Sequence, residues 1–117
     1  MIELSMPWPP TVNHYLLRTR SGGLRLSPAA QAYRREVWLA WKQQRKPCQS
    51  GRLSLWLYAY PPDARKRDLD NLLKAVLDAL QHAGAFKDDS QVDHLVITRG
   101  ERERGGRLKI DLLPLYC

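Results

Sequence analysis

The sequence predicts a single α+β domain over residues 1–117, with a mixed β-sheet flanked by two main helices. Three observations lead to this prediction. The chain has 117 residues, which is enough for one hydrophobic core but not for two. Several short segments alternate as strands do, and two longer segments have helical periodicity. Their order is strand, hairpin, helix, strand, helix, strand and strand, which is typical of a mixed sheet that carries helices.

The N-terminal segment predicts a half-buried strand, because Ile2, Leu4 and Met6 alternate with polar residues. Proline cannot donate to a strand ladder, so Pro7-Trp8-Pro9-Pro10 ends this strand. The segment from Arg18 to Leu26, around Gly22-Gly23, predicts a basic hairpin or a mobile loop. Its arginines either contact phosphates or belong to a solvated loop; they are Arg18, Arg20 and Arg25.

Ser27-Pro28 predicts the start of the first helix, with a hydroxyl cap followed by proline at the first helical position. This helix is expected to end near Arg45. The next strand, Arg52 to Tyr60, has apolar residues on both faces, which predicts a central strand covered on both sides. One face carries an aromatic row that either packs against a helix or stacks on nucleic-acid bases; it consists of Trp56, Tyr58 and Tyr60.

The second helix is predicted from Leu69 to Ala83, with Gly84 as its terminator. Val92 to Thr98 then has the pattern of a strand. A charged turn follows, and Leu108 to Leu112 predicts a last strand in a hairpin with the one before it, stopped by Pro114.

The chain is strongly basic, with a net charge of +7 and a pI near 9.8, which favours a polyanionic partner. The two cysteines, Cys48 and Cys117, have neither a disulfide pattern nor metal-ligand spacing. No signal peptide or apolar membrane-spanning segment is evident. These features predict a cytoplasmic protein without membrane contact.

Seven of the twelve acidic residues nevertheless lie between Asp63 and Asp93. Asp68 and Asp70 stand at the start of the second helix, where one aspartate is explained as an N-cap and two are explained less well. We expect the chain to turn at Gly84 and bring Asp88-Asp89 back toward this helix start. Carboxylates in such a cluster suit Mg²⁺, which would support phosphodiester hydrolysis.

Basic residues adjoin this cluster. Arg65, Lys66 and Arg67 either hold a phosphate backbone or form a solvated loop. Lys74 follows Asp70 by one helical turn, and it either forms a surface ion pair or steadies charge near the metal. Asp78, a further turn along, is assigned to structure.

The ordered set Arg67-Asp68-Leu69-Asp70-Asn71-Leu72, Lys74, Asp78-Ala79-Leu80 and Asp88-Asp89-Ser90-Gln91-Val92 resembles the signature of the RusA family of Holliday-junction resolvases. Pro7-Trp8-Pro9-Pro10 followed by Asn13 also resembles the N-terminus of that family. The resemblance covers essentially the whole chain.

The resemblance implies a homodimeric, Mg²⁺-dependent endonuclease, with Mn²⁺ as an alternative ion, that nicks four-way DNA junctions symmetrically. Such proteins are typically bacterial or phage-encoded. The resemblance places the metal at Asp68, Asp70 and Asp89, makes the same aspartates and Lys74 catalytic, and leaves Asp88 as an assisting residue. Two alternatives stay open: a non-catalytic DNA-binding module, and a metal-dependent nuclease that acts on flaps or structured RNA.

Overall fold

The computed structural model describes residues 1–11 and 15–115, and it has the predicted α+β architecture. Asn13 of the N-terminal motif and Cys117 lie outside these ranges. The strands are β1 (Ile2–Met6), β2 (Leu16–Arg18), β3 (Leu24–Leu26), β4 (Leu53–Tyr60), β5 (Val92–Arg99) and β6 (Arg107–Pro114). The helices are α1 (Pro28–Gln44) and α2 (Leu73–Ala83), with 3-10 turns at Leu69–Leu72 and Asp89–Gln91.

Four strands form the main sheet in the order β1-β6-β4-β5. Strand β5 is parallel to β4, whereas β6 is antiparallel to both β4 and β1, so the sheet is mixed as predicted. Strands β2 and β3 form a separate hairpin, which is one of the two alternatives predicted for this segment. Its base is closed by the amide of Ser27, which donates to the carbonyl of Tyr15 at 2.9 Å.

The predicted hairpin between the last two strands is wrong, because β4 lies between β5 and β6. The turn from residue 100 to residue 106 crosses the end of β4 and is bonded to it. The amide of Gly100 donates to the carbonyl of Ala59 at 2.8 Å, and that of Glu103 donates to the carbonyl of Pro61 at 2.9 Å. The charged turn therefore spans one strand instead of closing a tight hairpin.

Both helices join the hydrophobic core on one face of the sheet. Helix α1 starts as predicted, with the Ser27 hydroxyl accepting a hydrogen bond from the Ala30 amide at 3.0 Å. The β4 residues on this face are fully buried together with apolar residues of α1 and α2, and they are Leu53, Leu55, Leu57 and Ala59. The interior position of β4 is thus confirmed.

The aromatic face of β4 is only half-buried, so the prediction that both faces are covered is wrong. The aromatic rings are instead flanked by side chains of neighbouring strands. Trp56 meets His94 edge to face at 5.7 Å between ring centroids. Lys109 lies 5.7 Å above the ring of Tyr58, and Arg107 lies 4.6 Å above that of Tyr60. The side chains of Arg107 and Lys109 thus cover part of the aromatic row, on the face where a helix was expected.

Candidate functional site

Asp68 and Asp70 are exposed at the start of the second helical segment. Asp68 has an extended backbone, with φ −85° and ψ 135°, and stands at the N-cap of the 3-10 turn Leu69–Leu72. Its side chain makes no capping hydrogen bond. Asp68 therefore stands at an N-cap position, but its carboxylate does not cap the turn. The carboxylate is available to a ligand.

Lys74 lies near the start of α2, one turn after Asp70, and is exposed. Within residues 1–11 and 15–115, Lys74 forms no ion pair with Asp70 or with Asp78. The surface ion pair that was an alternative for Lys74 is thus absent from this part of the chain. Two carboxylates and one ammonium group therefore lie close together along the chain, and no ion pair within the described residues neutralises them.

Asp78 has a structural role, because it joins three segments of the fold. The Nε and Nη2 atoms of Arg34 donate to its two carboxylate oxygens at 2.7 and 2.8 Å. The hydroxyl of Tyr15, a residue that is 2% exposed, donates to the same carboxylate. Burial raises the pKa of Asp78; the nearby His82 opposes that rise, and the negative charge of Asp89 adds to it. The assignment of Asp78 to structure is consistent with these contacts.

A cleft of about 300 Å³ lies beside Asp68. Its walls come from the N-terminal proline-rich segment and from the start of the second helical segment, and they are lined by Trp8, Pro10, Thr11, Lys66, Arg67, Asp68, Asn71 and Leu72. The Arg67 guanidinium lies 5.7 Å from the centroid of the Trp8 ring. It also donates to both carboxylate oxygens of Asp63, at 2.6 and 3.2 Å. These hydrogen bonds hold the pKa of Asp63 at about 2.

The three consecutive basic residues therefore differ in their roles. Arg67 is committed to Asp63 and Trp8, and its carbonyl accepts a hydrogen bond from Arg99 at 2.8 Å. The side chain of Arg65 is 82% exposed and reaches Asp63 only at 3.6 Å. Lys66 is exposed on the wall of the cleft. Arg65 and Lys66 are thus better placed than Arg67 to contact a phosphate backbone.

The arginines of the β2-β3 hairpin are all exposed. Leu17 pairs with Arg25, and Arg18 pairs with Leu24, so Arg18 and Arg25 belong to neighbouring pairs in the ladder. Side chains of neighbouring pairs point to opposite faces of a two-stranded ribbon. Arg18 and Arg25 therefore lie on opposite faces of the hairpin, and Arg20 lies in its turn.

Asp88 and Asp89 occupy the other end of α2. The Asp88 carboxylate accepts a hydrogen bond from the Ser90 amide at 2.9 Å and forms a capping box with Gln91. This bond lowers the pKa of Asp88. The amide of Asp89 donates to Oε1 of Gln81 at 3.0 Å, and the Asp89 side chain is exposed. Asp88 is therefore used in capping, whereas Asp89 presents its carboxylate to solvent.

The expectation that Asp88-Asp89 return to the start of the helix is wrong for a single protomer. Gln81, which holds Asp89, follows Asp70 by eleven residues, a rise of about 16 Å along a helix. In the described part of the chain, no three His, Cys, Asp or Glu side chains lie close enough to hold a metal ion. Strand β5 carries the chain away from Asp89, and its last residue, Arg99, is the one that meets Arg67.

Sequence reasoning missed several contacts at the site. Trp8 lies within Pro7-Trp8-Pro9-Pro10, but no local signal connects it with Arg67, whose guanidinium lies over its ring. Asp63 precedes Arg67 by four residues, a spacing that permits their ion pair. No local signal connects Arg34 with Asp78, because 44 residues separate them. Among the described residues, no helix is long and apolar enough to span a bilayer.

Comparison with known proteins identifies the family. The family model described as Endodeoxyribonuclease RusA matches residues 7–112. A crossover junction endodeoxyribonuclease from Enterobacteria phage HK97 is 40% identical over 97% of this chain and 94% of its own length. Proteins of the same name from Shigella sonnei (strain Ss046) and Escherichia coli (strain K12) are each 36% identical, with the same coverage. The chain therefore belongs to the RusA family of endodeoxyribonucleases.

Proposed function

We propose that this protein is a Mg²⁺-dependent endonuclease that resolves four-way DNA junctions by paired symmetric nicks in recombination and repair. It acts as a homodimer, because a junction has approximate two-fold symmetry and an isologous dimer presents two sites in that relation. The relatives named as crossover junction endodeoxyribonucleases come from phages and bacteria, which supports this substrate and a bacterial or phage-encoded protein acting in the cytoplasm.

One observation carries the proposal: Asp68 lines a cleft with basic walls, and Asp70 and Lys74, which follow it closely in sequence, are exposed and have no ion pair among the described residues. Carboxylates that serve only stability are usually paired or used as caps, as Asp63, Asp78 and Asp88 are. A phosphodiester that enters next to the cleft meets cationic side chains first, from Arg65 and Lys66. Lys74 is then positioned to balance negative charge on the phosphate.

The proposed metal ion fits this chain only in part. Asp68 and Asp70 supply the carboxylate oxygens that Mg²⁺ or Mn²⁺ prefers. When bound, such an ion lowers the pKa of a water molecule and stabilises charge on the phosphate oxygens. The third carboxylate that the family resemblance implies, Asp89, does not join Asp68 and Asp70 within one protomer.

The test is cleavage of a mobile four-way DNA junction with Mg²⁺, with Mn²⁺ and with EDTA. Wild-type protein is expected to give symmetric nicks only with a metal, and Asp70→Asn is expected to lose at least about 100-fold in cleavage rate while still binding the junction. Asp93→Asn is the matched control, because Asp93 is paired with Arg52 away from the cleft.

Linear duplex, a flap and a structured RNA distinguish the other candidates. Equal cleavage of the flap or the RNA would assign a different nuclease substrate. Tight junction binding without cleavage in either metal would identify a binding module. Unchanged metal-dependent cleavage by Asp70→Asn would overturn the assignment of the site.

A further inference from the structure

We propose that Trp8 and Arg99 are positioning residues for Asp68. Both act through Arg67, which precedes Asp68 in the chain, and both lie beside the turn of residues 100–106 between β5 and β6. This inference rests on the proposed function. It adds residues from outside the acidic cluster that set the rate of cleavage.

The segment that carries Asp68 has few contacts of its own. Residues 64–66 and Asp68 are exposed, and the Asp68 side chain makes no capping hydrogen bond. The amide of Asn71 donates to the carbonyl of Asp68 at 3.3 Å, which is long for a hydrogen bond. The side chain of Arg67, in contrast, is only 22% exposed. The position of Asp68 therefore depends on how Arg67 is held.

Arg67 is held by both its side chain and its backbone. Its guanidinium donates to the two carboxylate oxygens of Asp63 at 2.6 and 3.2 Å, and it lies 5.7 Å from the centroid of the Trp8 ring. The Nη2 atom of Arg99 donates to the carbonyl of Arg67 at 2.8 Å. That carbonyl carbon is bonded to the nitrogen of Asp68, so the Arg99 contact acts directly on the Asp68 backbone.

The Trp8 ring is itself fixed by the turn between β5 and β6. A Cβ built on Gly106 would stand 2.8 Å from the Cβ of Trp8 and 3.1 Å from its Cγ, which is closer than real Cβ atoms approach. On the other side, the Tyr33 hydroxyl donates to the carbonyl of Pro7 at 2.9 Å and ties the backbone next to Trp8 to α1. Glycine at position 106 therefore allows Trp8 to lie where it supports Arg67.

The same turn is joined to the end of β4, from which the chain runs to Asp68. The amide of Gly106 donates to the carbonyl of Glu103 at 2.8 Å, and the amide of Glu103 donates to the carbonyl of Pro61 at 2.9 Å. The turn thus contacts the beginning of this segment directly. It contacts the end of the segment through Trp8 and Arg67.

The alternative role for Arg67 is a direct contact with a DNA phosphate. Its guanidinium already donates to both oxygens of Asp63 and has the Trp8 ring over one face, so a phosphate would compete with a bidentate carboxylate. The geometry therefore favours positioning. The two roles predict different kinetics, because a phosphate contact contributes to junction affinity, whereas positioning contributes to the rate of the chemical step.

The experiment compares Gly106→Ala with Gly105→Ala. Both glycines have a left-handed backbone, with φ +74° and +83°, so alanine imposes similar backbone strain at the two positions. A Cβ at Gly105 meets nothing within 4 Å, whereas a Cβ at Gly106 meets Trp8. The pair therefore separates displacement of Trp8 from a general loss of stability. Circular dichroism and urea unfolding verify that both variants are folded under the assay conditions.

Single-turnover cleavage of a four-way junction with saturating protein and junction affinity in EDTA are measured separately. Gly106→Ala is expected to cleave about 10- to 100-fold more slowly than the wild type, because a displacement of about 1 Å near the reacting groups has an effect of this size. Its junction affinity is expected to stay within about twofold of the wild type. Gly105→Ala is expected to keep both quantities within about twofold.

Arg99→Gln tests the backbone contact without strain in the turn, so it also serves if Gly106→Ala does not fold. It removes the guanidinium that donates to the carbonyl of Arg67. Its matched control, Arg102→Gln, loses the same charge from an exposed position of the turn. With saturating protein, Arg99→Gln is expected to cleave at least about 10-fold more slowly than Arg102→Gln.

A conservative pair tests Trp8 itself. Trp8→Phe keeps an aromatic face against the guanidinium of Arg67, whereas Trp8→Leu does not. Trp8→Phe is therefore expected to cleave about threefold faster than Trp8→Leu.

Hydrogen exchange provides a readout independent of cleavage. The amide of Asn71 bonds to the carbonyl of Asp68, and the amide of Leu73 bonds to the carbonyl of Asp70, so both amides report whether the two aspartates hold their positions. These amides are expected to exchange at least about fivefold faster in the alanine variant at position 106 than in the one at position 105.

Equal hydrogen exchange in the two glycine variants, or an equal loss of cleavage, would overturn the positioning role. Weaker junction binding by Gly106→Ala with an unchanged single-turnover rate would also overturn it, because that result indicates a direct contact with DNA. Wild-type protein that does not cleave the junction would instead count against the proposed function. Hydrogen exchange would still test the positioning of Asp68, so the two failures are distinguishable.

Discussion

At the residue scale, the seven acidic residues between Asp63 and Asp93 divide into two groups by their partners. Four of them are engaged within the protomer: Asp63, Asp78 and Asp93 with arginines, and Asp88 as a cap. Asp68, Asp70 and Asp89 are exposed. A protein with 19 lysines and arginines has cations available for every carboxylate, so the aspartates that have no cationic partner among the described residues are the ones to test for a ligand.

The ion pair between Arg34 and Asp78 is expected to contribute more to stability than the one between Arg52 and Asp93. Their side chains are 26% and 31% exposed in the first pair, and 45% and 35% exposed in the second. Asp78→Asn leaves Arg34 without its charged partner where solvent compensates poorly. We expect it to lower the free energy of unfolding by about 1–2 kcal/mol, and Asp93→Asn to lower it by clearly less, because solvent screens the exposed pair.

Urea unfolding of both variants and the wild type measures these differences, provided that the dependence on urea concentration has the same slope in all three. Equal losses would contradict the argument, because both substitutions remove one charge and keep the shape of the side chain. Cleavage by Asp78→Asn, assayed well below the unfolding midpoint, is expected to be retained in large part, since Asp78 holds α1, α2 and Tyr15 together and does not face the cleft.

At the element scale, local signals in the sequence predicted whether each element is a helix or a strand. They predicted less well which elements lie next to one another in the fold. Ser27-Pro28 defined the start of α1 because capping depends on adjacent residues. The sequence of β5 did not predict its pairing with β4. Strand order depends on how α2 packs on the sheet and not on the composition of β5. The start of α2 was also misjudged, because the first turn after Asp68 is a 3-10 turn.

Gly84 ends α2 and is a position where backbone conformation alone decides the outcome of a substitution. It has φ +90°, and a Cβ built on it meets nothing within 4 Å. Gly84→Ala is therefore expected to lower the free energy of unfolding by about 1 kcal/mol, entirely through the left-handed backbone. Gly84→Asn is expected to cost less, because asparagine tolerates this conformation.

Chemical denaturation of the two variants and the wild type provides the comparison. If Gly84→Asn were as destabilising as Gly84→Ala, side-chain space and not backbone strain would have to explain the loss. The position matters for the site because Gly84 leads through Ala85 and Phe86, which are 0% and 1% exposed, into the turn that carries Asp89.

At the scale of the whole molecule, the sequence predicted the chemical composition of the site but not its assembly. Asp68, Asp70 and Lys74 were found together because they lie within seven residues of sequence. The distance to Asp89 follows from the length of α2 and from the capping box that fixes the turn Asp89–Gln91. The edge position of β5 follows from strand order. These are tertiary properties, and no local pattern in the sequence indicates them.

The net charge of +7 predicts how binding to DNA responds to salt. Each phosphate that the protein neutralises releases counterions, so the logarithm of the affinity falls linearly with the logarithm of salt concentration. With six or more phosphate contacts, junction affinity is expected to fall by about 1,000-fold or more between 50 and 200 mM salt. Asp70→Asn serves as the background, because it removes cleavage without removing a cation.

Lys66→Gln and Lys109→Gln, both made in the Asp70→Asn background, test which face of the molecule meets the DNA. Lys66 lines the cleft beside Asp68, whereas Lys109 covers Tyr58 on the face of the sheet opposite the helices. Each variant loses one positive charge. Loss of a phosphate contact by Lys66→Gln is expected to reduce the magnitude of the salt slope by about 0.9, and Lys109→Gln is expected to leave it unchanged. Fluorescence anisotropy of a labelled junction measures both slopes. A larger change in the salt slope for Lys109→Gln than for Lys66→Gln would indicate that the DNA contacts the aromatic face of β4.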